Sequence, residues 1–176
     1  MKAMTHRGIS LMVLLTVALI GLALNPTPAA AQTSTYMQVS GIVGSSTDAQ
    51  HVGWINVASV GQSWKVESNA TACEIEVLKG IDAAGPLLWA QGLRGTPIPD
   101  VRIEVMMTKA GVTKIYEYRL RAVVVTGFNA ATTPTFAESV TFRGTSLELI
   151  AFSVNANGTA AAPVSRGWNC ATNFPY

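Results

Sequence analysis

From Thr35 to Cys170 the chain alternates apolar and polar residues in short, repeated bursts. A period of two is the mark of a half-buried strand, because successive side chains point to opposite faces of a sheet. TYMQVSG, Thr35 to Gly41, predicts a first strand, and WINVASVGQSWKVES, Trp54 to Ser68, predicts one or two more. In CEIEVL, Cys73 to Leu78, Ile75 and Val77 alternate with Glu74 and Glu76. VRIEVMM, Val101 to Met107, sets Val101, Ile103 and Val105 against Arg102 and Glu104. KIYEYRLRAVVVTGF, Lys114 to Phe128, is the longest strand signal. There Tyr116, Tyr118, Leu120 and Ala122 share one face, and Glu117, Arg119 and Arg121 share the other. Val123, Val124 and Val125 end the alternation, which predicts cover on both faces. Lys109-Ala110-Gly111-Val112 reads as a tight turn into this strand.

A further long segment runs from Glu138 to Val154, with Val140 and Phe142 on one face and Gly144 permitting a bulge or bend. A polar connection follows, and Arg166-Gly167-Trp168-Asn169-Cys170 has the character of a strand returning to close a β-structure. Only AAGPLLWAQGLRG, Ala83 to Gly95, looks helical: Pro86 suits a first turn, and Leu87, Leu88 and Trp89 offer an apolar side. The expected fold is mainly β: a compact closed β-barrel or a tightly packed two-sheet sandwich with one short lateral α-helix. Closure would remove vulnerable sheet edges.

The N-terminus breaks this pattern. Lys2, His6 and Arg7 precede an apolar run of 16 residues, Ile9 to Leu24, and then Ala29-Ala30-Ala31. A basic start, an apolar stretch and small residues at a cleavage site read as a secretory signal peptide. The run is shorter than the roughly 20 residues that span a bilayer, so no stable membrane insertion is expected after cleavage at Ala31-Gln32. Residues 1–31 are therefore assigned to the signal and 32–176 to the β-rich domain, exported to the periplasm or the extracellular space. Removal of the leader also changes the charge. The formal +2 of the whole chain disappears, because ten Lys and Arg then balance ten Asp and Glu. No cationic cluster remains to neutralise phosphates, so nucleic acid is not an expected partner.

Cys73 and Cys170 both lie in the exported part, where an even cysteine count favours a disulfide. They stand 97 residues apart, and closing such a loop stabilises by about 4–5 kcal/mol before strain is counted. A bridge within one chain and a bridge between neighbouring copies both fit this count. Catalytic chemistry is sparse. His51 is the one histidine after the leader, no metal-ligand spacing or cofactor fingerprint occurs, and the serines lack a nucleophile-elbow setting. Glu74, Glu76, Glu104 and Glu117 fall on outward strand positions, where a solvated or intersubunit face is expected and no convergence into an acid–base pair. No catalytic, cofactor or metal site is assigned.

Four stretches together resemble the haemolysin-coregulated proteins (Hcp), tube subunits of bacterial type VI secretion: TPIPDVRIEVMM, KIYEYRLRAVVVTGFNA, FAESVTFRGTSLELIAFSVNANGT and SRGWN. The similarity runs over roughly residues 36–170. It implies a small β-barrel with a lateral helix, assembling head-to-tail into a hexameric ring that stacks into a tube, with no catalytic centre of its own. It places Glu117, Tyr118 and Leu120 in the central barrel strand, Glu138, Val140 and Phe142 in the next long strand, and Gly167 and Trp168 in the closing one. The leader and the cysteine pair depart from that family pattern and point to an oxidising compartment. A non-enzymatic, self-assembling homo-oligomer is thus the leading expectation, with secreted cargo or a surface protein as a further partner. The alternative is an exported monomeric β-rich binding module for a glycan, surface protein or effector, using Trp54 or Trp89 as a platform.

Overall fold

The computed structural model describes residues 32–67, 70–108, 112–131, 136–153 and 161–176. Nine strands and one helix follow in the order β1 (Gln32–Val39), β2 (Ile55–Glu67), β3 (Ala70–Gly80), α1 (Ala84–Arg94), β4 (Ile98–Thr108), β5 (Val112–Ala131), β6 (Ala137–Gly144), β7 (Ser146–Ala151), β8 (Val164–Asn169) and β9 (Phe174–Pro175). The strands lie side by side as β4-β1-β2-β3-β6-β5-β7-β8-β9, and β4 also pairs with β5. That last pairing joins six strands into a ring, with β7, β8 and β9 attached outside it. The mainly β fold with one lateral helix is therefore as the sequence predicts. The closing step is not: the Arg166–Cys170 strand adds to β7, and the hairpin partners β4 and β5 complete the ring.

Alternation fills the ring. Met37, Val39, Ile55, Ile75, Val77, Val101, Ile103, Leu120, Val140 and Phe142 point inward and are buried. The segment from Trp54 to Ser68 forms a single strand, with a register shift between Val57 and Ser59 that moves the inward positions from odd to even numbers. On β5 the expected face of Tyr118, Leu120 and Ala122 does not continue to its end. Ala122 takes a positive φ of 46° and faces solvent, and the inward positions resume at Val123 and Val125. This local kink flips the face without breaking the ladder. The turn expected at 109–111 lies outside the described residues, as does the leader; the flanking pair Thr108 and Val112 are strand partners.

Helix α1 ends at Gly95, whose left-handed φ of 62° lets its amide bond to the Gln91 and Gly92 carbonyls. Ala84, Gly85 and Leu88 are buried, whereas Leu87 and Trp89 face outward rather than packing on the sheet.

Strands β6 and β7 act as one long partner of β5, interrupted at Thr145. Arg143 pairs with Val124 and Ser146 with Arg121, so the register is kept across the interruption and shifts only farther along β6, between Val125 and Gly127 of β5. Their opposite edge serves two neighbours in turn. β3 occupies it as far as Gly144, opposite Cys73, and β8 takes over at Ser146, opposite Asn169. The Cys73 and Cys170 sulfurs are bonded across this changeover, with the Cα atoms 6.0 Å apart. Backbone bonds from Thr71 N to Cys170 O (3.1 Å) and from Cys170 N to Thr145 O (2.8 Å) hold the same point.

Phe142 is fully buried where β3, β6 and β5 meet, paired with Ile75 on one side and Val125 on the other. Replacing it with alanine removes a large core side chain, and Phe142→Ala is expected to lower the unfolding free energy by about 3–5 kcal/mol. Urea denaturation followed by tryptophan fluorescence measures this; a loss under about 1 kcal/mol would contradict the packing.

Candidate functional site

The outward face of β1, β4 and β5 carries a row of side chains that the strand register brings together. Tyr36 stands opposite Glu104, and Glu104 stands opposite Glu117. Two carboxylates directly across a ladder repel each other, and here both are buried: Glu117 is 1% exposed and Glu104 6%. This corrects the expectation of a solvated face with no convergence. Three cations make the arrangement tolerable. Lys114 Nζ donates to Glu104 Oε1 at 2.9 Å and to Glu117 Oε2 at 2.7 Å. Arg102 Nε donates to Glu117 Oε1 at 2.7 Å, and Arg119 Nε donates to the same oxygen at 2.5 Å. Arg102 also pairs with Glu104, and Arg119 reaches Glu148 at 3.6 Å.

The connection between β1 and β2 folds over this row. His51, on that connection, is buried, with Nε2 3.1 Å from Glu104 Oε2 and Nδ1 2.7 Å from Asp48 Oδ1. The Tyr36 ring stacks on the imidazole at 4.1 Å, Trp54 meets it edge-on at 4.9 Å, and the Arg102 guanidinium lies 5.8 Å from the Trp54 ring centre. Trp54 is therefore engaged within the fold and offers no free platform.

The electrostatics oppose acid–base work at this place. Burial alone would raise the Glu117 pKa, but hydrogen bonds from Lys114, Arg119 and Arg102 outweigh it and bring it down to about 2. Glu104 moves the same way: burial pushes it up, while bonds from Lys114 and His51 carry it below the usual carboxylate value. Asp48 is lowered chiefly by its bond to His51. A general acid needs a pKa near the working pH, and carboxylates locked in the ionised form are the reverse of that. The cluster's chemistry is structural: it ties the β1–β2 connection to the ring wall.

A second buried charge anchors the helix. Lys79 is fully buried on β3, facing its strand partner Glu138 on β6. Its Nζ pairs with the Glu138 carboxylate, with Asp82 Oδ1 at 2.7 Å and with the Gly80 carbonyl at 2.8 Å. Asp82 Oδ1 also accepts the Ala84 amide at 3.0 Å, at the start of α1. Glu138 lies against Gly85 so closely that a Cβ there would collide with the carboxylate. The small residue in the first turn thus admits a negative charge at the positive end of the helix.

The residues singled out by family pattern do not form one site. Glu117 belongs to the outer cluster and Glu138 to the helix anchor. Leu120, Val140 and Phe142 are core, and Tyr118 packs partly buried against it. Gly167 is buried beneath the Tyr176 ring, which leaves no room for a Cβ, and Trp168 is half-exposed beside it. Sequence reasoning missed His51, Lys79, Asp82 and Lys114 as members of buried clusters. Nothing in strand alternation distinguishes a charged position under a loop from one in water. Among the described residues no group of three metal-ligating side chains gathers.

Glu117 supplies a pH test. Its folded pKa near 2 lies below the ordinary glutamate value of 4.5, so its contribution is fully present above pH 4.5 and is lost as pH falls towards 2. Glu117→Gln should cost about 3 kcal/mol at pH 7, because three cations lose a buried partner. It should also flatten the acid dependence of stability below pH 4.5. Urea denaturation at pH 7 and pH 3 reads both, and an unchanged slope in the variant would refute the assignment.

Comparison with known proteins bears on most of the β-rich part of the chain. The family described as "Type VI secretion system effector, Hcp" matches residues 36–149. Among solved structures, Hcp1 from Salmonella typhimurium superimposes with a TM-score of 0.67 at 17% identity, covering 82% of this chain and 99% of that one. A protein described as a type six secretion system protein gives 0.72 at 22% identity, covering 82% and 100%. A type VI secretion system effector from Yersinia pestis gives 0.63 at 20% identity, covering 77% and 98%. No curated protein matches in sequence. Since the match takes in strands of the ring, the helix and both buried clusters, the chain belongs to the Hcp family of type VI secretion proteins.

Proposed function

We propose that this chain is a non-enzymatic building block that assembles head-to-tail into hexameric rings able to stack as a tube. The observation that carries this reading is the family match over residues 36–149, joined to a fold that covers nearly the full length of solved Hcp chains. A ring needs a heterologous interface made of two different patches. Outward-facing Leu87, Trp89 and Leu93 on α1, with Phe136 also exposed, supply apolar surface for one of them. The charge clusters support the same role, since they stiffen the ring wall and the helix without offering a reactive group.

Within this proposal the chain is exported: the N-terminal segment is removed at Ala31-Gln32, and residues 32–176 assemble in the periplasm or outside the cell. Light scattering coupled to size exclusion, with negative-stain imaging, tests assembly. Annular particles of hexameric mass are expected, and a strictly monomeric species at high concentration would overturn the proposal. Intact-mass measurement of the same sample should find Gln32 as the first residue.

The oxidised state of Cys73 and Cys170 belongs to the same proposal. Non-reducing electrophoresis with peptide mapping should give a monomer-sized chain cross-linked between these two residues. Cys73→Ser with Cys170→Ser should lower stability by up to about 4–5 kcal/mol. A cross-linked ladder would instead show pairing between copies, and two freely alkylated thiols in exported protein would refute both.

A further inference from the structure

Beyond the point where the ring core ends, the inward faces of two strand pairs continue with nothing described between them. On β2 the inward positions after the register shift are Val60, Gln62, Trp64 and Val66, paired with Val77, Ile75, Cys73 and Thr71 on β3. On the opposite side Leu147 and Leu149 of β7 pair with Trp168 and Arg166 of β8. These two walls enclose an open cleft of about 520 Å³ whose lining includes Trp64, Val66, Leu149, Arg166 and Trp168, with Cys73 beside Trp64. Trp64 is 70% exposed and Val66 69%. Two large side chains on inward strand positions are left in water, which is costly surface unless something covers it.

The polar groups of the cleft narrow the choice of occupant. Thr71 and Asn173 satisfy each other through a 2.5 Å hydrogen bond. Arg166 bonds only to the neighbouring Ser165 carbonyl at 2.7 Å and pairs with no carboxylate among the described residues. Along one edge each wall is paired, β2 with β3 as far as Glu67–Ala70 and β8 with β7 as far as Ala151–Val164, while among the described residues β1 meets the other edge of β2 only at Ile55–Val57 and β9 that of β8 only at Trp168–Asn169. The faces turned towards the cleft carry apolar side chains, the Gln62 amide and, among the described residues, one cation without a carboxylate partner, Arg166. Its volume is that of a small-molecule site, and it sits between sheet faces, as ligand cavities of β-barrels do.

We propose that this cleft binds a single-chain amphiphile with an anionic head group, its apolar part between Trp64, Val66, Leu149 and Trp168 and its head on the Arg166 guanidinium. A medium-chain carboxylate is the simplest such ligand. The site is distinct from the charge clusters and does not depend on the assembly reading.

Dodecanoate, titrated below its micelle-forming concentration into the protein as purified from cells, tests this by calorimetry and tryptophan fluorescence. Saturable binding of one molecule per chain is expected. Arg166→Gln should weaken dodecanoate by at least about tenfold, the loss of one charged hydrogen-bond partner, and leave dodecanol unchanged. Trp64→Ala should abolish binding of both, and Trp89→Ala, on the helix, should alter neither; circular dichroism checks that each variant is folded. Absent saturation, equal binding by wild type and Trp64→Ala, or equal loss of dodecanol and dodecanoate in Arg166→Gln would each overturn the proposal. So would an acidic apolar peptide that binds where dodecanoate does not, which would mark a protein-docking surface. Titration of separated assembled and unassembled fractions isolates the question from ring formation: binding confined to the unassembled fraction would make the cleft a contact between copies and overturn the proposal, and equal binding in both supports it.

Discussion

One edge of one long strand has to serve two neighbours, and most of the molecule follows from that. β6 and β7 meet β5 in one register across Thr145, from Val125–Phe142 to Tyr116–Ala151, and share one far edge. β3 and β8 divide it between them. Because β3 continues past the changeover with β2, while β8 leaves in another layer, the sheets separate there. The Cys73–Cys170 bond sits at the fork, and the cleft opens beyond it. A covalent link at such a point restrains two chain-distant strands that share no ladder of their own.

Buried charge does complementary work, on the outer face of the ring at Glu104 and Glu117 and on inward strand positions at Lys79 and Glu138. Hydrophobic packing specifies that strands face inward, but it does not say how a connection or a helix should lie against them. Arg102, Lys114 and Arg119 hold the Glu104–Glu117 pair from within β4 and β5, and His51 adds its bond to Glu104 only when the β1–β2 connection is in place. Lys79 is satisfied only when Glu138 and Asp82 converge at the head of α1. An unpaired buried charge is far more costly than a paired one, so each cluster disfavours alternative placements of the segment it holds. Such clusters suit a subunit that must present the same surface to every neighbour.

Membership of the Hcp family and a Glu117 carboxylate held well below the usual carboxylate range fit a structural protein. The exposed apolar side chains fall in two separate regions, the outer side of α1 and the cleft between β2 and β8. They differ in kind. The helix presents Leu87, Trp89 and Leu93 on its outer side, whereas the cleft is concave and carries the Arg166 cation.

Alternation along the chain was enough to place most strands and many of their inward residues, because inside–outside periodicity is a local property. Ile75, Val77, Ile103, Val140 and Phe142 could be placed in the core from their spacing alone. The sequence could not show that Ala122 reverses the face of β5, since alanine carries no signal for a positive φ. Nor could it separate Glu104 and Glu117 from Glu74 and Glu76, which share the same outward pattern. Only tertiary structure decided that a connection folds over the first two, burying them with Lys114 and His51, while Glu76 stays exposed. The β1–β4 pairing that brings the β4–β5 hairpin into the ring and the fork at Thr145 were likewise settled by pairing between distant strands. Period two fixes which way a side chain points; what lies there to meet it depends on chain segments far away in sequence.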